Sequence, residues 1–342
     1  MVIKTCLLLI IKKQTKENNM NKLKKIGLTA LAGSLVATSV FAGSLDVTGS
    51  AGVTFGGADK GTSGNGFSMG DEVTFTGSGE MDNGWNVTVS MQLDGSETAT
   101  GNLDNRSVKI DTGEMGVITF AGHGGDSVVG GKDDVMPTAY GESFDVLAAG
   151  AGETGTTAFN AIGSAGSDNM MRYDNSALAD GVSVAVSYTP SGTGEVESSM
   201  DVGIEYTGFE GVTLGYARGE DNAAGGTGNT DNDTMYVKYV FGSVTVGYQR
   251  SEIDAGTVAN SDEFDSMGIT YAVNENMSVG YHASTYNAGD QAADQENTNF
   301  SLSYTMGSMT LSAAFVEEEN RGGSTAAGDD VKGYEFDLGF AF

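Results

Sequence analysis

The sequence predicts an all-β fold: a transmembrane sixteen-stranded antiparallel β-barrel, an up-and-down meander whose long third loop folds inward. Three observations predict it. Apolar residues recur at every second position in segment after segment, the period of a strand with one greasy and one wet face. Short turns and long polar loops alternate strictly between those segments. Hydrophobic residues make up only 39% of 342 residues, alongside 52 glycines. That is too few for a conventional packed core, yet 13 Tyr and 15 Phe are more than a disordered chain carries.

The N-terminal residues stand apart from this pattern. "MNKLKKIGLTALAGSLVATSVFAGS" opens at Met20 with Lys22, Lys24 and Lys25, continues through a small and apolar stretch, and reaches Val40-Phe41-Ala42. This is the build of a signal peptide over 20–42, with cleavage expected after Ala42. Residues 1–19 are expected to be an upstream extension, from a misassigned start or a prolonged n-region. Cleavage would remove seven bases and one acid, leaving 10 basic and 45 acidic residues and a formal charge of −35. It would also remove Cys6, the single cysteine, so disulfides cannot stabilise the mature chain. Such a charge argues against nucleic-acid binding. No later stretch is apolar enough for a transmembrane helix.

From Gly43 the alternation runs on. "SLDVTGSAGVTF" sets Leu45, Val47, Ala51, Val53 and Phe55 against Asp46, Thr48, Ser50 and Thr54. "WNVTVSMQLD", "VSVAVSYT" and "FSLSYTM" repeat the scheme, and "GYEFDLGFAF" ends it with Tyr334, Phe336, Leu338, Phe340 and Phe342 on one face. Sixteen strands are expected, starting near Ser44, Met69, Trp85, Asn105, Met115, Met170, Val182, Met200, Val212, Thr234, Ser243, Phe264, Met277, Thr298, Met309 and Gly333. Turns such as "MDNG", "GFEG", "FGS" and "MGS" fall at one end, and loops such as "GEDNAAGGTGNTDND" at the other. Short periplasmic turns and long external loops are the pattern of a membrane barrel. Closure leaves no unpaired edge in lipid, and sixteen strands enclose a lumen too wide for side chains to fill. Tyr188, Tyr216, Tyr248, Tyr271, Tyr281 and Tyr304 suit aromatic girdles.

One loop breaks the pattern. Roughly 45 residues, 122–168, lie between the fifth and sixth strands, a length that is usually functional. It carries Asp126, Asp133, Asp134, Glu142, Asp145 and Glu153, together with apolar Val128, Val129 and Phe144. A loop folded into the lumen and pinned to the wall would use both kinds of residue. Asp133, Asp134, Glu142 and Asp145 concentrate the hard oxygens that suit calcium, so that ion is the candidate ligand, while no cofactor is required. "GHGGDSV" holds His123, Asp126 and Ser127, but residues four apart in a loop do not make a triad.

The chain resembles a general bacterial outer-membrane porin of the sixteen-stranded α-proteobacterial, Rhodobacter-like type. The carriers are the signal peptide, "SLDVTGSAGVTFGG", the "GEMGVITFAGHGGDS" lead-in to the long loop, the "FGSVTVGYQR" hairpin and Phe342. The resemblance spans 43–342. It implies a homotrimer in the outer membrane, in contact with lipid and lipopolysaccharide. It implies a constriction formed by the third loop. It also implies that Phe342 is part of the signal read by the barrel-assembly machinery. The family sets loop acids against bases on the facing wall. Here bases are few. Alternation points Lys109, Arg172 and Lys238 into the lumen, and puts Arg218 and Arg250 on the lipid phase at external strand ends, where they can snorkel. The expected function is a water-filled pore for passive diffusion of small hydrophilic solutes and ions, cation-preferring because fixed carboxylates concentrate cations. A substrate-selective outer-membrane channel is the alternative. An enzyme would need a nucleophile, base and acid on the wall, and an adhesin would need apolar external loops; neither is present in the sequence.

Overall fold

The structure, a computed structural model, describes residues 43–59, 66–95, 103–132, 134–144, 168–190, 198–222, 229–254, 261–289, 291–325 and 330–342. The expected signal peptide therefore lies outside the described residues. Sixteen strands form one closed antiparallel barrel in which each strand pairs with its sequence neighbours and the last pairs with the first. They are β1 Ser44–Ala58, β2 Gly66–Glu80, β3 Asn86–Asp94, β4 Leu103–Asp111, β5 Val117–His123, β6 Met170–Ala179, β7 Val182–Thr189 and β8 Ser199–Phe209. The second half comprises β9 Val212–Asn222, β10 Asn229–Phe241, β11 Val244–Asp254, β12 Asp262–Asn274, β13 Met277–Ala288, β14 Gln295–Met306, β15 Met309–Glu319 and β16 Val331–Ala341.

The sequence expectation holds strand by strand, with one systematic difference. β2, β10 and β14 begin three to five residues earlier than the alternation suggested, at Gly66, Asn229 and Gln295. At the outer ends of β10 and β14, "NTDND" and "QEN" pair with polar residues on both phases, without an apolar face to mark them. The turns at the opposite end are tight. Gly242 and Ser243 join β10 to β11, and only Gly242 has positive φ, at 59°. That is the requirement of a II′ hairpin turn, whose twist suits the flanking strands.

The outer wall is apolar. Val89, Met91, Val108, Phe120, Val186, Ile204, Leu214, Ile269, Leu311 and Phe336 are exposed there, as are all six tyrosines expected in the girdles. In a soluble protein this would be an aggregation surface; on a closed barrel it meets lipid. What apolar core exists lies inside, between the third loop and the wall. Val128 and Val129 pack with Ala185 and Ala217. Phe144 packs with Phe264, Tyr286 and Ala288. Tyr140 leans on Ala314, Val316 and Val331.

Candidate functional site

The third loop leaves β5 after His123 and returns to β6 at Met170. Its two ends are clasped where His123 Nδ1 meets Asp168 Oδ1 at 2.7 Å. From there the chain turns into the lumen and follows the wall. The Val128 N–H donates to Ser187 Oγ at 2.9 Å, and the Val129 N–H to Asp201 at 3.1 Å. Arg172 Nη1 donates to the carbonyls of Asp126 and Ser127. Gln249 Nε2 donates to the Lys132 carbonyl at 2.8 Å. Farther on, Asn299 Nδ2 donates to the carbonyls of Tyr140 and Gly141, and the Tyr140 hydroxyl donates to Glu335 on β16. The loop thus passes from β6 to β16 along the inside of the barrel, and Glu142 to Phe144 turn back to β12 and β13.

Glycines make the track it lies in. A Cβ on Gly203 would meet Val128, one on Gly247 would lie 2.7 Å from Pro137 Cδ, and one on Gly280 2.7 Å from the Ala139 nitrogen. Gly268 is as crowded, beneath the Pro137 carbonyl. All four occupy the lumen phase of their strands, and no larger residue would let the loop backbone approach so closely. This was the main feature missed from the sequence. The signal was there: "VGI", "VGY", "MGI" and "VGY" place glycine at the inward position of strands that otherwise carry Ser, Thr or larger groups inward.

Register places two of the expected lumen bases, Lys109 and Arg172, in one row. Lys109 opposes Thr119, Thr119 opposes Arg172, Arg172 opposes Ser187 and Ser187 opposes Asp201, and directly opposed residues share a face. Lys238 sits 5.4 Å over the Tyr236 ring, which also faces inward. Arg172 and Lys238 do not confront the loop across the pore, as the resemblance implied. They stand on the wall that the loop covers. Arg172 is bound to Asp174 at 2.9 Å. Lys132, a loop base, lies 3.6 Å from Glu205. Burial holds its ammonium below the ordinary lysine value, with Glu205 opposing and Arg172 adding to the effect. A lumen pocket of about 560 Å³ is bounded by Lys132, Arg172, Asp174, Glu205 and Asp111, so bases and acids alternate on that side.

The uncovered wall is different. On β16 the Asp337 carboxylate accepts from Thr54 Oγ1 at 2.8 Å, and on β2 Glu72 accepts from Ser50 Oγ at 3.0 Å and from Gln92. Asp94 opposes Glu72 in register. Among the described residues of β16, β1, β2 and β3, no Lys or Arg faces the lumen; Lys332 is on the outward phase, opposite Glu317. Two outward arginines are also matched with acids. Arg218 binds Asp231 and Asp233, and Arg250 binds Glu252, Glu263 and Asp265.

Of the expected loop acids, Asp126 and Asp134 are exposed within the barrel. Glu142 is the correction. It is 3% exposed and turned into the wall, where it accepts from the Met136 N–H at 3.2 Å and approaches His282. A buried acceptor was needed where the loop doubles back, and the nearest carboxylate supplies it. Asp133, Asp145 and Glu153 lie outside the described residues, and among the described residues no three acids or histidines converge as a metal site. Phe342 exchanges two backbone hydrogen bonds with Gly49, at 2.8 and 2.9 Å, which closes the seam between β16 and β1. The Ser127 hydroxyl accepts from the Gly130 N–H while His123 engages Asp168, so no nucleophile and base are brought together there.

The comparisons with known proteins agree with this geometry. A family model described as Gram-negative porin matches residues 27–324. No curated protein matches. Among solved structures, the anion-selective porin from Comamonas acidovorans shares the fold with a TM-score of 0.64 and 14% identity over 88% of this chain and 100% of that one. The trimer form of in-vitro folded OmpT of Vibrio cholerae has a TM-score of 0.60 at 14% identity, covering 88% and 100%. A mutant of the Rh. blastica porin has a TM-score of 0.59 at 14% identity, covering 87% and 100%. With a closed sixteen-stranded barrel, an apolar outer wall, a polar lumen and a family match over most of its length, the chain belongs to the Gram-negative porins, non-enzymatic channels of the bacterial outer membrane.

Proposed function

We propose that this porin is a cation-preferring diffusion pore for small hydrophilic solutes and ions, and that the third loop is its constriction. The observation that carries the reading is the asymmetry of the lumen charge. Arg172 and Lys132 are consumed by the loop and its adjacent acids. The wall left open opposite them carries Glu72 and Asp337 without a facing base among the described residues. Fixed carboxylates in a water-filled passage with low-dielectric walls raise the local cation concentration. The exposed loop acids Asp126 and Asp134 add to the same sign. The anion selectivity named for the Comamonas protein belongs to a chain 14% identical and carries over only as fold.

Three further parts of the proposal rest on resemblance and sequence: cleavage after Ala42, assembly as a homotrimer in contact with outer-membrane lipid and lipopolysaccharide, and recognition of the last strand by the barrel-assembly machinery. Calcium is not part of it: of the four candidate ligands, Glu142 is turned into the wall, and Asp133 and Asp145 lie outside the described residues. Planar-bilayer recording of the purified protein under a salt gradient tests the selectivity. A reversal potential favouring cations is expected, and an anion-favouring one would sink it. Deleting residues 127–160 is expected to raise single-channel conductance, whereas an unchanged conductance would place the constriction elsewhere.

A further inference from the structure

The loop's outward limb is held by several bonds spread along the wall, and residues 142–144 gather around one buried ring. His282 lies on the lumen face of β13, opposite Gly268 and Asn299, and is 0% exposed. Its Nδ1 is 3.1 Å from the Ser143 backbone nitrogen and 2.9 Å from Ser143 Oγ. A backbone N–H can only donate, so Nδ1 is the acceptor and the ring proton resides on Nε2. Nε2 has Ser266 Oγ at 2.8 Å and Glu142 Oε2 at 3.4 Å. The tautomer is therefore fixed from both sides. Ser143 Oγ also reaches Ser284 Oγ at 2.9 Å, and the Phe144 ring stands edge-on to His282 at 6.0 Å and to Phe264 at 5.3 Å.

We propose that His282 is a positioning residue of the pore: its δ-nitrogen acceptor fixes the third loop at Ser143 and so sets the aperture. The inference rests on the reading of that loop as the constriction. What the site requires is an acceptor at the δ position of a buried wall side chain, because the Ser143 N–H would otherwise be buried without a partner. Ring volume is secondary. Asparagine presents a carbonyl oxygen at the δ position. Glutamine is closer in size to histidine but carries its amide one bond farther out. Acceptor position and volume therefore rank the two substitutions in opposite order.

The test is single-channel conductance and open-channel noise of the full chain with His282→Asn, His282→Gln and His282→Ala, each verified as a closed barrel by heat-modifiable electrophoretic mobility. H282N is expected to match the parent. H282Q and H282A are expected to raise conductance or noise by about two-fold as the loop loosens. H282Q matching the parent while H282N does not would overturn the proposal, as would an H282A indistinguishable from the parent. Should the wall variants fail to fold, Ser143→Pro removes the donor from the loop side and leaves the wall intact. It should reproduce the loosened behaviour, and an unchanged conductance would again overturn the proposal. If both singles are obtained, the H282A/S143P pair should be no worse than either one, the mark of a shared interaction. A deletion of 127–160 without effect would refute the constriction itself; a deletion that raises conductance alongside a silent H282A refutes only the role of His282.

Discussion

The charge on a strand residue matters here according to the face it occupies. Lys109 and Arg218 are both cations on barrel strands, but Lys109 shares the lumen row with Arg172 and Asp201, whereas Arg218 is on the outer face and bonded to Asp231 and Asp233. Lys109→Glu adds a carboxylate to the passage. It is expected to raise the cation-to-anion permeability ratio by about two-fold, read from the reversal potential. Arg218→Glu should leave that potential unmoved, because its charge is outside the lumen and screened by headgroup counterions. Tyr140 supports a second prediction. Burial, reinforced by its bond to Glu335, holds its hydroxyl protonated far above the ordinary tyrosine range. A raised value means the docked form keeps its proton while a released tyrosine would lose it near pH ~10. The bond is thus intact below that pH and is undermined as pH climbs past it. In an absorbance titration, Tyr140→Phe should remove none of the phenolate signal that develops around pH ~10; loss of one tyrosine's share would show that Tyr140 is free.

At the scale of elements, the wall and the loop obey different rules. Each strand needs only alternation, and alternation can be read residue by residue, which is why Leu45, Val47 and Phe55, or Phe336, Leu338 and Phe340, announced their strands. The charged phases of Lys109, Arg172 and Lys238 followed from the same count. The loop's path could not be read that way. It is fixed by contacts between residues far apart in sequence, such as Tyr140 with Glu335 and Ser143 with His282. Glu142 was expected at the pore for the same reason: composition gives a loop its charge, but only packing says which acid is turned inward. The glycine track is where sequence and packing meet. Gly268→Val would drive two methyls into Pro137, and overpacking of this kind costs about 1–3 kcal/mol. The barrel has no other use for that space, so the loop should yield rather than the wall. G268V is expected to keep its heat-modifiable mobility while its conductance departs from the parent; a protein that no longer closes would show that Gly268 serves the strand instead.

For the whole molecule, closure is the condition on which everything else depends, since an open edge in lipid exposes backbone groups without partners. The seam runs in register from Ser50 opposite Ala341 to Ala58 opposite Gly333, and Phe342 extends it by its two backbone bonds to Gly49. Its ring also covers Gly49: a Cβ there would lie 2.6 Å from Phe342 Cε2. Removing Phe342 deletes two hydrogen bonds of about 1 kcal/mol each from a ladder that retains nine paired positions. A barrel already closed should tolerate that loss, and neither the lumen wall nor the loop touches Phe342 among the described contacts. The consequence is expected in assembly and not in conduction. A chain lacking Phe342 should reach the outer membrane in reduced yield, yet channels formed from the purified variant should conduct as the parent does. Phe342→Ala separates the two contributions, because it removes the ring while leaving residue 342 and its backbone bonds available. If F342A assembles normally and the deletion does not, the backbone of residue 342 is what the assembly step requires. If both are impaired alike, the packing of the ring across the seam is the cause, and normal yield of the deleted chain would show that β16 is complete without Phe342.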